Sequence, residues 1–401
     1  MGGMYETPAV VVGLNPTALG VVRSLAPHCA RVVALESDAG QPALHTRLCQ
    51  VRRLDDLADP DLLLNGLRAL AGELDLGHGD PPVLFVTTDE HVMWAVERRD
   101  ELTRHFRLLM PERGVCADLM LKDRFLAMAS RQGWPVPKSA FIPLHDLIRS
   151  IETAGLRYPV ILKPAMKTWA WERSRLAKAF IVNDPDEAGA VVARAAGIVT
   201  DLLAQEYLDG DDGQVYFCLY LAAPGLAPVT FCGRKLLQWP PHRGSTAVCE
   251  PVRAPALDAF TRDMFGGLRI DGFASLEVKC APDGSFRIIE PTIGRVDLQS
   301  SIATLNGMNM PLVAYLATLG RSEEARVFAQ PVRHDVAWMH EPALWNLWRA
   351  HAIDRATLLA LARREKGFAL ASWTDPFVLG ALAGQKLGAV AKRAWAMVGG
   401  D

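Results

Sequence analysis

The sequence has few of the features that are typical of secreted proteins, of proteins with structural metal sites, or of membrane-spanning proteins. Its seven cysteines are scattered and include no C-x-x-C pair, which argues against both a structural zinc site and a disulfide framework. The H-E-x-x-H motif is also missing. No uncharged apolar run reaches the ~18 residues that a membrane span needs, and the amino terminus lacks the basic and apolar segments of a signal peptide. We therefore expect a reduced, cytoplasmic chain.

The sequence also lacks an excess of charge of one sign. With 43 Lys and Arg against 45 Asp and Glu residues, the net charge is −2, so a basic nucleic-acid-binding surface is not expected. Half of the 401 residues are hydrophobic, which provides enough apolar material for two or three packed domains. We expect several domains and no nucleic-acid partner.

What the sequence does contain is an alternation of strands and helices. In residues 8–120, apolar runs of strand length, such as "AVVVGL" and "PVLFVTT", alternate with helical segments. This order predicts a parallel sheet with helices on both faces. A second α/β unit follows from residue 121, and "NMPLVAYLATLG" closes it as a helix with Gly320 at its carboxyl end. We place the domain boundaries after residues 120, 204 and 320.

The segment "EVKCAPDGSFRIIEPTIGR" (277–295) holds the most informative pattern. Asp283-Gly284 favours a two-residue type I′ turn, and counting outward from it sets Glu277 directly opposite Glu290. Like charges in that position destabilise a strand pair. A divalent cation between the carboxylates would remove the repulsion, because Mg²⁺ binds through one or two carboxylates plus phosphates. A register shifted by one residue would instead place one acid on each face.

Four basic residues near strand and helix ends fit such a site. Lys163 lies in "PVILKP", Arg234 and Lys235 in "FCGRKLLQ", and Lys122 in "LMLKDRF". Each of them taken alone is interpreted most simply as a side chain that extends to solvent. Together with the facing acids, they predict a site that binds phosphates and magnesium.

Five segments, in this order and spacing, resemble one enzyme family. They are "LKDRFLAMASRQGWPVPKS", "YPVILKPA", "QEYLDGDD", "GRKLLQWPP" and "EVKCAPDGSFRIIEPTIGR". From about residue 9 to residue 320 the chain resembles the ATP-grasp carboxylate–amine ligases, and most closely their D-aspartate-ligase-like branch. The resemblance implies an α/β ATP-grasp fold. Its parts would be a Rossmann-like pre-ATP-grasp domain (1–120), a linker helix and lid (121–204), a subdomain with the metal hairpin (205–320) and a partly helical carboxyl-terminal extension (321–401).

The resemblance also implies roles for individual residues. Those expected to contact ATP are Lys122, Lys163, Lys178, Gln205, Glu206, Tyr207, Leu208, Asp211 and Asp212. One of the two aspartates would hold the ribose, and the sequence does not say which. Mg²⁺, or Mn²⁺ in its place, would bind Glu277, Glu290 and Thr292. The catalytic residues, which would act on the transferring phosphoryl group or a substrate carboxylate, would be Lys235, Arg234 and Arg295.

Two segments depart from the family pattern. The second metal motif reads Glu290-Pro291-Thr292 instead of Glu-x-Asn, and Arg295 stands one position later than usual. The loop "MKTWAWERSRLA" (166–177) contains no glycine, although many ATP-grasp enzymes cover the phosphates with a glycine-rich loop. Its tryptophans and arginines either cover the phosphates in another way or form an exposed polar lid with packed tryptophans.

The expected activity is the ATP-dependent joining of a carboxylate to an amine. An acyl phosphate would form first, and attack by the amine would give an amide or peptide bond with release of ADP and phosphate. Both substrates would be small molecules such as amino acids. The alternative is an ATP-binding protein of the same fold without turnover, in which Thr292 and the unusual loop disable the metal site. A bicarbonate-using carboxylase is a further alternative, but nothing indicates a biotin partner.

The segment "GLNPTALG" (13–20) invites comparison with dinucleotide-binding sites. It follows a strand, opens a helix, and is succeeded by Glu36 at the end of the next strand. However, its glycine spacing is not that of G-x-G-x-x-G. We therefore interpret it as a strand–helix turn, and no dinucleotide is predicted. The resemblance to ATP-grasp enzymes implies that this first domain helps to shape the site of the acceptor substrate.

The tail at residues 375–398 reads as a helix with a basic face. Gln385, Lys386, Lys392 and Arg393 fall on one side of it, and much of the remainder is apolar. Such a helix fits docking on the chain itself or on a homodimer partner. It also fits a weak contact with a membrane surface, and the sequence leaves these interpretations open.

Overall fold

The amino-terminal residues form a parallel sheet with the strand order β3-β2-β1-β4. The structure is a computed structural model that describes residues 4–74, 80–164, 171, 174, 176–177, 179–281 and 283–385. Three of the four strands are completely buried because helices cover both faces, which confirms the predicted parallel arrangement. The strands are β1 (Ala9–Val12), β2 (Val32–Glu36), β3 (Gln50–Arg53) and β4 (Val83–Val86).

Local hydrogen bonds set the carboxyl edge of this sheet. The side chain of Asn15 caps the first helix by accepting from the N–H of Ala18 at 2.9 Å. The carboxylate of Glu36 accepts from the N–H groups of Leu14, Ser37 and Asp38, so it is committed to the loops after β1 and β2. The helices of this domain are Pro16–Leu25, Pro60–Leu74, Asp89–Glu97, Arg99–Leu102 and Arg113–Met120, with a 3-10 turn at Pro42–His45.

The helix Lys122–Gln132 leads into a second sheet, which we call the lid. This antiparallel sheet has the order β5-β8-β6-β7. Its hydrophobic cluster draws all its members from residues 140–204, so the lid has a core of its own. Its strands are β5 (Ser139–Pro143), β6 (Val160–Pro164), β7 (Phe180–Val182) and β8 (Asp201–Glu206), and its helices are Leu147–Thr153 and Pro185–Ala195, with a 3-10 turn at Leu144–Asp146.

The largest sheet has seven strands in the order β13-β12-β9-β10-β11-β14-β15. Neighbouring strands are antiparallel except for the parallel pair β14 and β15. The strands are β9 (Val215–Ala222), β10 (Val229–Trp239), β11 (Ser245–Pro251), β12 (Gly272–Cys280), β13 (Phe286–Ile293), β14 (Ala337–Met339) and β15 (Lys366–Phe368). The helices Pro255–Gly267, Ser301–Leu305 and Met310–Thr318 belong to the same unit, and a 3-10 turn at Asp212–Gln214 precedes β9.

The amino-terminal domain and the seven-stranded sheet share one core. Val11 of β1, Leu219 of β9 and Leu312 of the helix Met310–Thr318 are buried in the same hydrophobic cluster. These segments are far apart in sequence, so neither part forms this core alone. Within the described residues, no helix combines the length and apolarity that a bilayer crossing requires.

The residues after 320 are more integrated than the resemblance implies. Strands β14 and β15 extend the seven-stranded sheet, although the sequence analysis separates 321–401 as an extension. Three helices accompany them: Ser322–Val327, Glu341–Arg349 and Arg355–Arg363.

The described part of the tail docks on the amino-terminal domain. The carboxylate of Asp375 accepts from the hydroxyl of Thr46 at 2.8 Å, and the ring of Phe377 lies 3.7 Å from the guanidinium of Arg47. Val378, in the helical residues 376–385, is fully buried. This packing supports docking on the chain itself for these residues, whereas Lys386, Lys392 and Arg393 lie outside the described residues.

Candidate active site

The hairpin of β12 and β13 places Glu277 directly opposite Glu290. This register confirms the predicted facing pair and excludes the register shifted by one residue. Because side chains alternate along a strand, Thr292 shares the face of Glu290, and its cross-strand partner is Ser275. Three oxygen-bearing side chains of the predicted metal set therefore lie on one face of the sheet.

The route to this register differs from the prediction. The N–H of Ala281 donates to the carbonyl of Ser285 at 2.8 Å, so three residues rather than two separate the paired ends of the strands. Val278 then pairs with Ile288, one position out of the predicted register. A bulge at Ile289 restores the predicted pairing, because it adds one residue to β13 only. The two-residue turn was a wrong prediction that the bulge compensates.

A lysine from β10 neutralises one of the facing acids. The Nζ of Lys235 lies 2.7 Å from the carboxylate of Glu277 and 3.2 Å from the Oε1 of Gln238. Only 3% of Lys235 is exposed, so its charge requires such partners. Burial raises the pKa of Glu277, and Glu290 adds to this shift while Lys235 opposes it. The ammonium therefore allows the two acids to coexist before any metal binds.

The donor set fits a hard cation such as Mg²⁺. Glu290 is exposed, and no described residue forms a hydrogen bond or ion pair with its carboxylate. Glu277 and Glu290 provide two carboxylates and Thr292 a hydroxyl, all of them oxygen ligands. Magnesium commonly binds proteins through one or two carboxylates, with phosphates and water completing its shell, and the two facing acids match this number.

Arg234 does not share this face, which corrects its predicted place beside Lys235. Adjacent residues on a strand point to opposite faces, and Arg234 pairs across β11 with Glu250 at 2.6 Å. Glu250 also forms an ion pair with Arg364 from the carboxyl-terminal extension. The guanidinium of Arg234 therefore joins the extension to the sheet on the opposite face from the acids.

The lid brings together two of its predicted phosphate-binding lysines. The Nζ of Lys163 lies 3.1 Å from the Oε1 of Gln205, whose own amide donates to the hydroxyl of Ser139 at 2.9 Å. Lys122 donates to the carbonyl of Pro164 at 2.6 Å. These contacts place both ammonium groups at the end of β6. Lys178, the third predicted lysine of the lid, lies outside the described residues.

Asp211 and Asp212, in the link between the lid and the large sheet, have different surroundings. Asp212 is buried and accepts from the backbone and side chain of Gln238 at 2.7 and 2.9 Å and from the N–H of His242 at 2.8 Å. Asp211 is exposed. Asp212 therefore holds the loop after β10, and Asp211 is the aspartate whose carboxylate faces solvent.

The remaining residues of the predicted adenine segment lie where β8 leaves the lid. Glu206 ends the strand, and its carboxylate accepts from the N–H of Lys138 at 3.2 Å. Tyr207 and Leu208 follow it and are partly exposed. The ring of Tyr207 lies 5.7 Å from the ammonium of Lys279. The segment thus connects the two sheets, as the resemblance implies.

Two residues that the sequence analysis missed complete this surface. Lys279 lies two positions after Glu277 and donates to the carbonyl of Gly210 at 2.9 Å. Burial lowers the pKa of Lys279 although nearby aspartates oppose the shift. Gln238 contacts Lys235 from three positions away. Strand alternation from Glu277 could have identified Lys279, whereas the position of Gln238 depends on an irregularity of β10.

Arg295 joins the hairpin to the amino-terminal domain. Its Nε lies 2.6 Å from the carboxylate of Asp89, the first residue of a helix that follows β4. Burial lowers the pKa of the Arg295 guanidinium, but Asp89 outweighs this effect and raises it. The predicted catalytic arginine therefore lies where the acid-bearing hairpin meets the carboxyl edge of the first sheet, and Asp89 was missed.

The predicted lid loop is described only in part. Trp171 is 3% exposed in the core of the lid, and its ring lies 6.2 Å from that of Phe180. This supports a packed tryptophan at that position. Trp169, Arg173 and Arg175 lie outside the described residues.

A second group of metal-type ligands lies on the other face of the sheet. It consists of Cys218, Cys232 and Asp258. Asp258 already pairs with Arg262 at 3.1 Å, and burial raises the pKa of the Cys218 thiol. A protonated thiol is a poor ligand, so this group does not compete with the facing acids as a metal site.

No protein-family model matches the chain, and no curated protein matches it. Solved structures do resemble it. An N5-carboxyaminoimidazole ribonucleotide synthetase bound to ADP has a TM-score of 0.60 at 11% identity, covering 79% of this chain and 77% of that one. An L-amino acid ligase from Bacillus licheniformis has a TM-score of 0.59 at 15% identity, covering 82% and 79%. A biotin carboxylase from Campylobacter jejuni has a TM-score of 0.59 at 13% identity, covering 82% and 74%.

These likenesses concern the fold and do not test the D-aspartate-ligase-like branch, which stays a prediction. They extend over about four fifths of the chain. The lid and the large sheet agree with what the five sequence segments imply. The chain therefore has the ATP-grasp fold.

Proposed function

We propose that this chain is an ATP-dependent carboxylate–amine ligase that forms an amide or peptide bond and releases ADP and phosphate. The observation that carries the proposal is the cluster of Lys235, Glu277 and Glu290 on one face of the large sheet. The link to the lid runs over the same face, where Lys279 donates to the carbonyl of Gly210. This face therefore combines a positive charge that can bind phosphates with oxygen ligands that can bind a cation, next to the link to the lid.

The nucleotide would bind between the lid and this face. Lys122 and Lys163 would contact its phosphates as point charges, and the backbone of residues 205–208 would contact the adenine edge. Asp211 would hold the ribose, because Asp212 is committed to the loop after β10. Solved structures of this fold contain ADP, ATP or MgADP, which supports ATP and magnesium as the cofactors.

The facing acids would hold the magnesium ion. Glu277 and Glu290 would be its carboxylate ligands, and Thr292 would offer a hydroxyl where the family usually has an amide. When bound, the ion would supply positive charge to the phosphates during transfer. Lys235 neutralises Glu277 from the side of β10, and the same ammonium would serve the terminal phosphate.

The chemistry would proceed in two displacements. A carboxylate oxygen of the first substrate would attack the γ-phosphorus, and the bond from that phosphorus to the bridging oxygen of ADP would break. The nitrogen of the second substrate would then attack the acyl carbon, expel phosphate and lose a proton. Lys235 and Arg295 would stabilise the negative charge of the transferring group, and the lid would exclude water from the acyl phosphate. Arg234 has no part in this scheme.

Amino acids are the substrate class to test first. The L-amino acid ligase among the similar structures covers four fifths of this chain, and the motifs resemble the D-aspartate-ligase-like branch. The experiment is a screen of amino-acid pairs, with both D- and L-aspartate included, for phosphate release from MgATP. Amide products would be identified by mass, and reactions without the second substrate serve as controls.

The outcomes of this screen distinguish the candidate functions. Phosphate and an amide formed in equal amounts would support the ligase. Saturable ATP binding with no phosphate release for any pair would support an ATP-binding protein without turnover. Phosphate release that depends on bicarbonate would support a carboxylase instead.

A further inference from the structure

A cavity of about 330 Å³ lies between the lid, the turn after β10 and the carboxyl-terminal extension. Three parts of the chain line it: Ala177 and Ala179 of the lid, the residues around Trp239 between β10 and β11, and the start of the helix Glu341–Arg349. This volume is in the range of small-molecule sites. One wall therefore comes from the carboxyl-terminal extension, outside the part of the chain that carries the family resemblance.

The lining of the cavity suits an apolar group. Trp239, Pro240 and Ala343 provide apolar surface, and Arg243 is the one ionised side chain among the described residues that line it. No carboxylate occurs among these residues. An ammonium group would find no counter-charge on these described residues, whereas an aliphatic or aromatic side chain would replace water against apolar walls.

His340 contributes an aromatic ring to the lining without adding charge. It lines the cavity, and its ring stacks on Trp338 with 6.1 Å between the centroids. Its Nδ1 is buried and has no hydrogen-bond partner within the described part of the chain. Burial lowers the pKa of His340 to about 4, so the ring is neutral at pH 7. The ring therefore adds an uncharged aromatic surface to the lining.

The cavity is tied to the lid strand that carries Lys163 and to the large sheet. Ala179 directly precedes Phe180 of β7, which pairs with Leu162 of β6, the neighbour of Lys163. The N–H of His340 donates to the carbonyl of Ala247 in β11 at 2.8 Å. One wall of the cavity therefore adjoins the end of β6 that carries Lys163, and another is fixed to β11 of the large sheet.

We propose that the cavity binds the apolar side chain of one of the two substrates, and that the carboxyl-terminal extension is part of the substrate site. This inference rests on the proposed ligase function and adds a substrate class to it: at least one substrate is an amino acid with a large apolar side chain. The chemistry of the cavity is the same whether that side chain belongs to the carboxylate or to the amine.

The test fills the cavity and compares substrates of different size. Asn346 lines it, so Asn346→Trp places an indole there. Arg349 is exposed on the same helix, and Arg349→Trp adds the same bulk outside the cavity as the matched control. Alanine, leucine and phenylalanine are supplied first as the carboxylate and then as the amine, and kcat/KM is measured by phosphate release.

We expect the wild type to prefer leucine or phenylalanine over alanine in one of the two arms, which identifies the substrate concerned. Asn346→Trp should reduce that preference about tenfold or more, as expected when a pocket loses space for several methylenes. The KM for MgATP and the preference of Arg349→Trp should not change. Turnover without any size preference, or a preference unchanged in Asn346→Trp, would overturn the inference and leave the ligase proposal intact.

A second measurement applies if no pair of substrates turns over, which would count against the ligase itself. Calorimetric titration with 2-phenylethylamine and with 3-phenylpropanoate tests the cavity without chemistry. Binding of either probe to the wild type and to Arg349→Trp, together with its loss in Asn346→Trp at an unchanged melting temperature, would support the cavity as an apolar site. Failure of both probes to bind the wild type would overturn it.

Discussion

The two faces of β10 put neighbouring cations to different uses. Lys235 is 3% exposed and lies against Glu277, next to a second acid. Arg234 points the other way, keeps 39% of its side chain exposed, and pairs with Glu250. Although Arg234 and Lys235 are adjacent in the strand, one is a partly exposed guanidinium and the other a buried ammonium next to two acids. The face of a strand, more than proximity in sequence, decides which charge serves a site.

The two ion pairs also differ in what they cost. Burying charged groups costs several kcal/mol per ion, which a single partner repays only with very good geometry. An exposed pair costs little and contributes roughly 0–1 kcal/mol. Selection for stability alone would therefore not favour Lys235 and Glu277, whereas Arg234 keeps contact with solvent while it pairs with the partly buried Glu250, which attaches the extension to the sheet. A largely buried carboxyl with a raised pKa, such as Glu277, marks a candidate functional site.

The sharpest test of this comparison exchanges each cation for a neutral side chain. Lys235→Met should lower turnover by about 10²–10³-fold, because it removes a charge that stabilises the transferring phosphoryl group. Arg234→Met should keep turnover within a few-fold of the wild type. The measurement is phosphate release with a working substrate pair, with melting temperatures to confirm folding. Equal losses in the two variants would contradict the assignment of the faces.

The facing acids provide a test that depends on magnesium. Without MgATP, Glu290→Gln should stabilise the protein slightly, by roughly 0.2–1 kcal/mol, because it removes repulsion across the strands. With MgATP, the rise in melting temperature should shrink and turnover should collapse, because a ligand is lost. Glu250→Gln, on the opposite face, is the control and should retain the full MgATP effect. If MgATP raised the melting temperature of Glu290→Gln as much as that of the wild type, Glu290 would be excluded as a metal ligand.

The lid should contribute to the same face through Lys163. Lys163→Ala removes a charge-assisted contact worth roughly 1.5–3 kcal/mol, so ATP affinity should fall about 10–150-fold. Lys138, an exposed lysine of the lid that contacts the carbonyl of Gly155, provides the control variant Lys138→Ala. Calorimetric titration with ATP distinguishes them, and unchanged affinity in Lys163→Ala would remove this lysine from the site.

Thr292 allows a finer test of the metal ligands. If its hydroxyl replaces the usual amide oxygen, Thr292→Asn should preserve or improve turnover, and Thr292→Val should weaken it several-fold because no oxygen remains. Phosphate release at a series of magnesium concentrations measures the effect. A Thr292→Val variant with an unchanged magnesium requirement would show that the hydroxyl is not a ligand.

The smallest effect is expected on the opposite face. Partial burial acts to raise the pKa of Glu250, but Arg364 and Arg234 outweigh it and hold the pKa below the usual 4.5. A carboxyl with a lowered pKa stabilises the fold above its unfolded pKa, and this stabilisation is lost as the pH falls through the folded value. Glu250→Gln should therefore lower the melting temperature slightly at pH 7 and flatten its decline below about pH 4.5. If the melting temperatures of the wild type and Glu250→Gln fell in parallel below about pH 4.5, this role of Glu250 would be contradicted.

Much of the fold could be predicted because its signals are local. Apolar runs separated by helical segments predicted the first parallel sheet, and Asp186 and Glu187 in the first turn marked the helix Pro185–Ala195, which Asp184 caps. The facing of Glu277 and Glu290 was also predicted, although two deviations had to cancel. The three-residue separation at the turn shifted the register by one position, and the bulge at Ile289 shifted it back.

Other features depend on contacts that no local pattern encodes. Arg295 meets Asp89 across 206 positions of sequence, and the choice between Asp211 and Asp212 depends on where the loop after β10 lies. Strands β14 and β15 have three residues each, too few for a period of two to be recognised. Each of these features depends on how distant segments pack, which cannot be inferred from residues that are neighbours in the sequence.

The sequence by itself determined that Arg234 and Lys235 point to opposite faces, because the side chains of a strand alternate with a period of two. Only the tertiary structure decided which face carries the site. That choice was made by the pairing of β9 with both β10 and β12, which sets Lys235 beside Glu277, and by the extension, whose Arg364 joins Arg234 at Glu250. Alternation is a property of the local backbone, whereas the neighbours on each face are brought there by the packing of the whole chain.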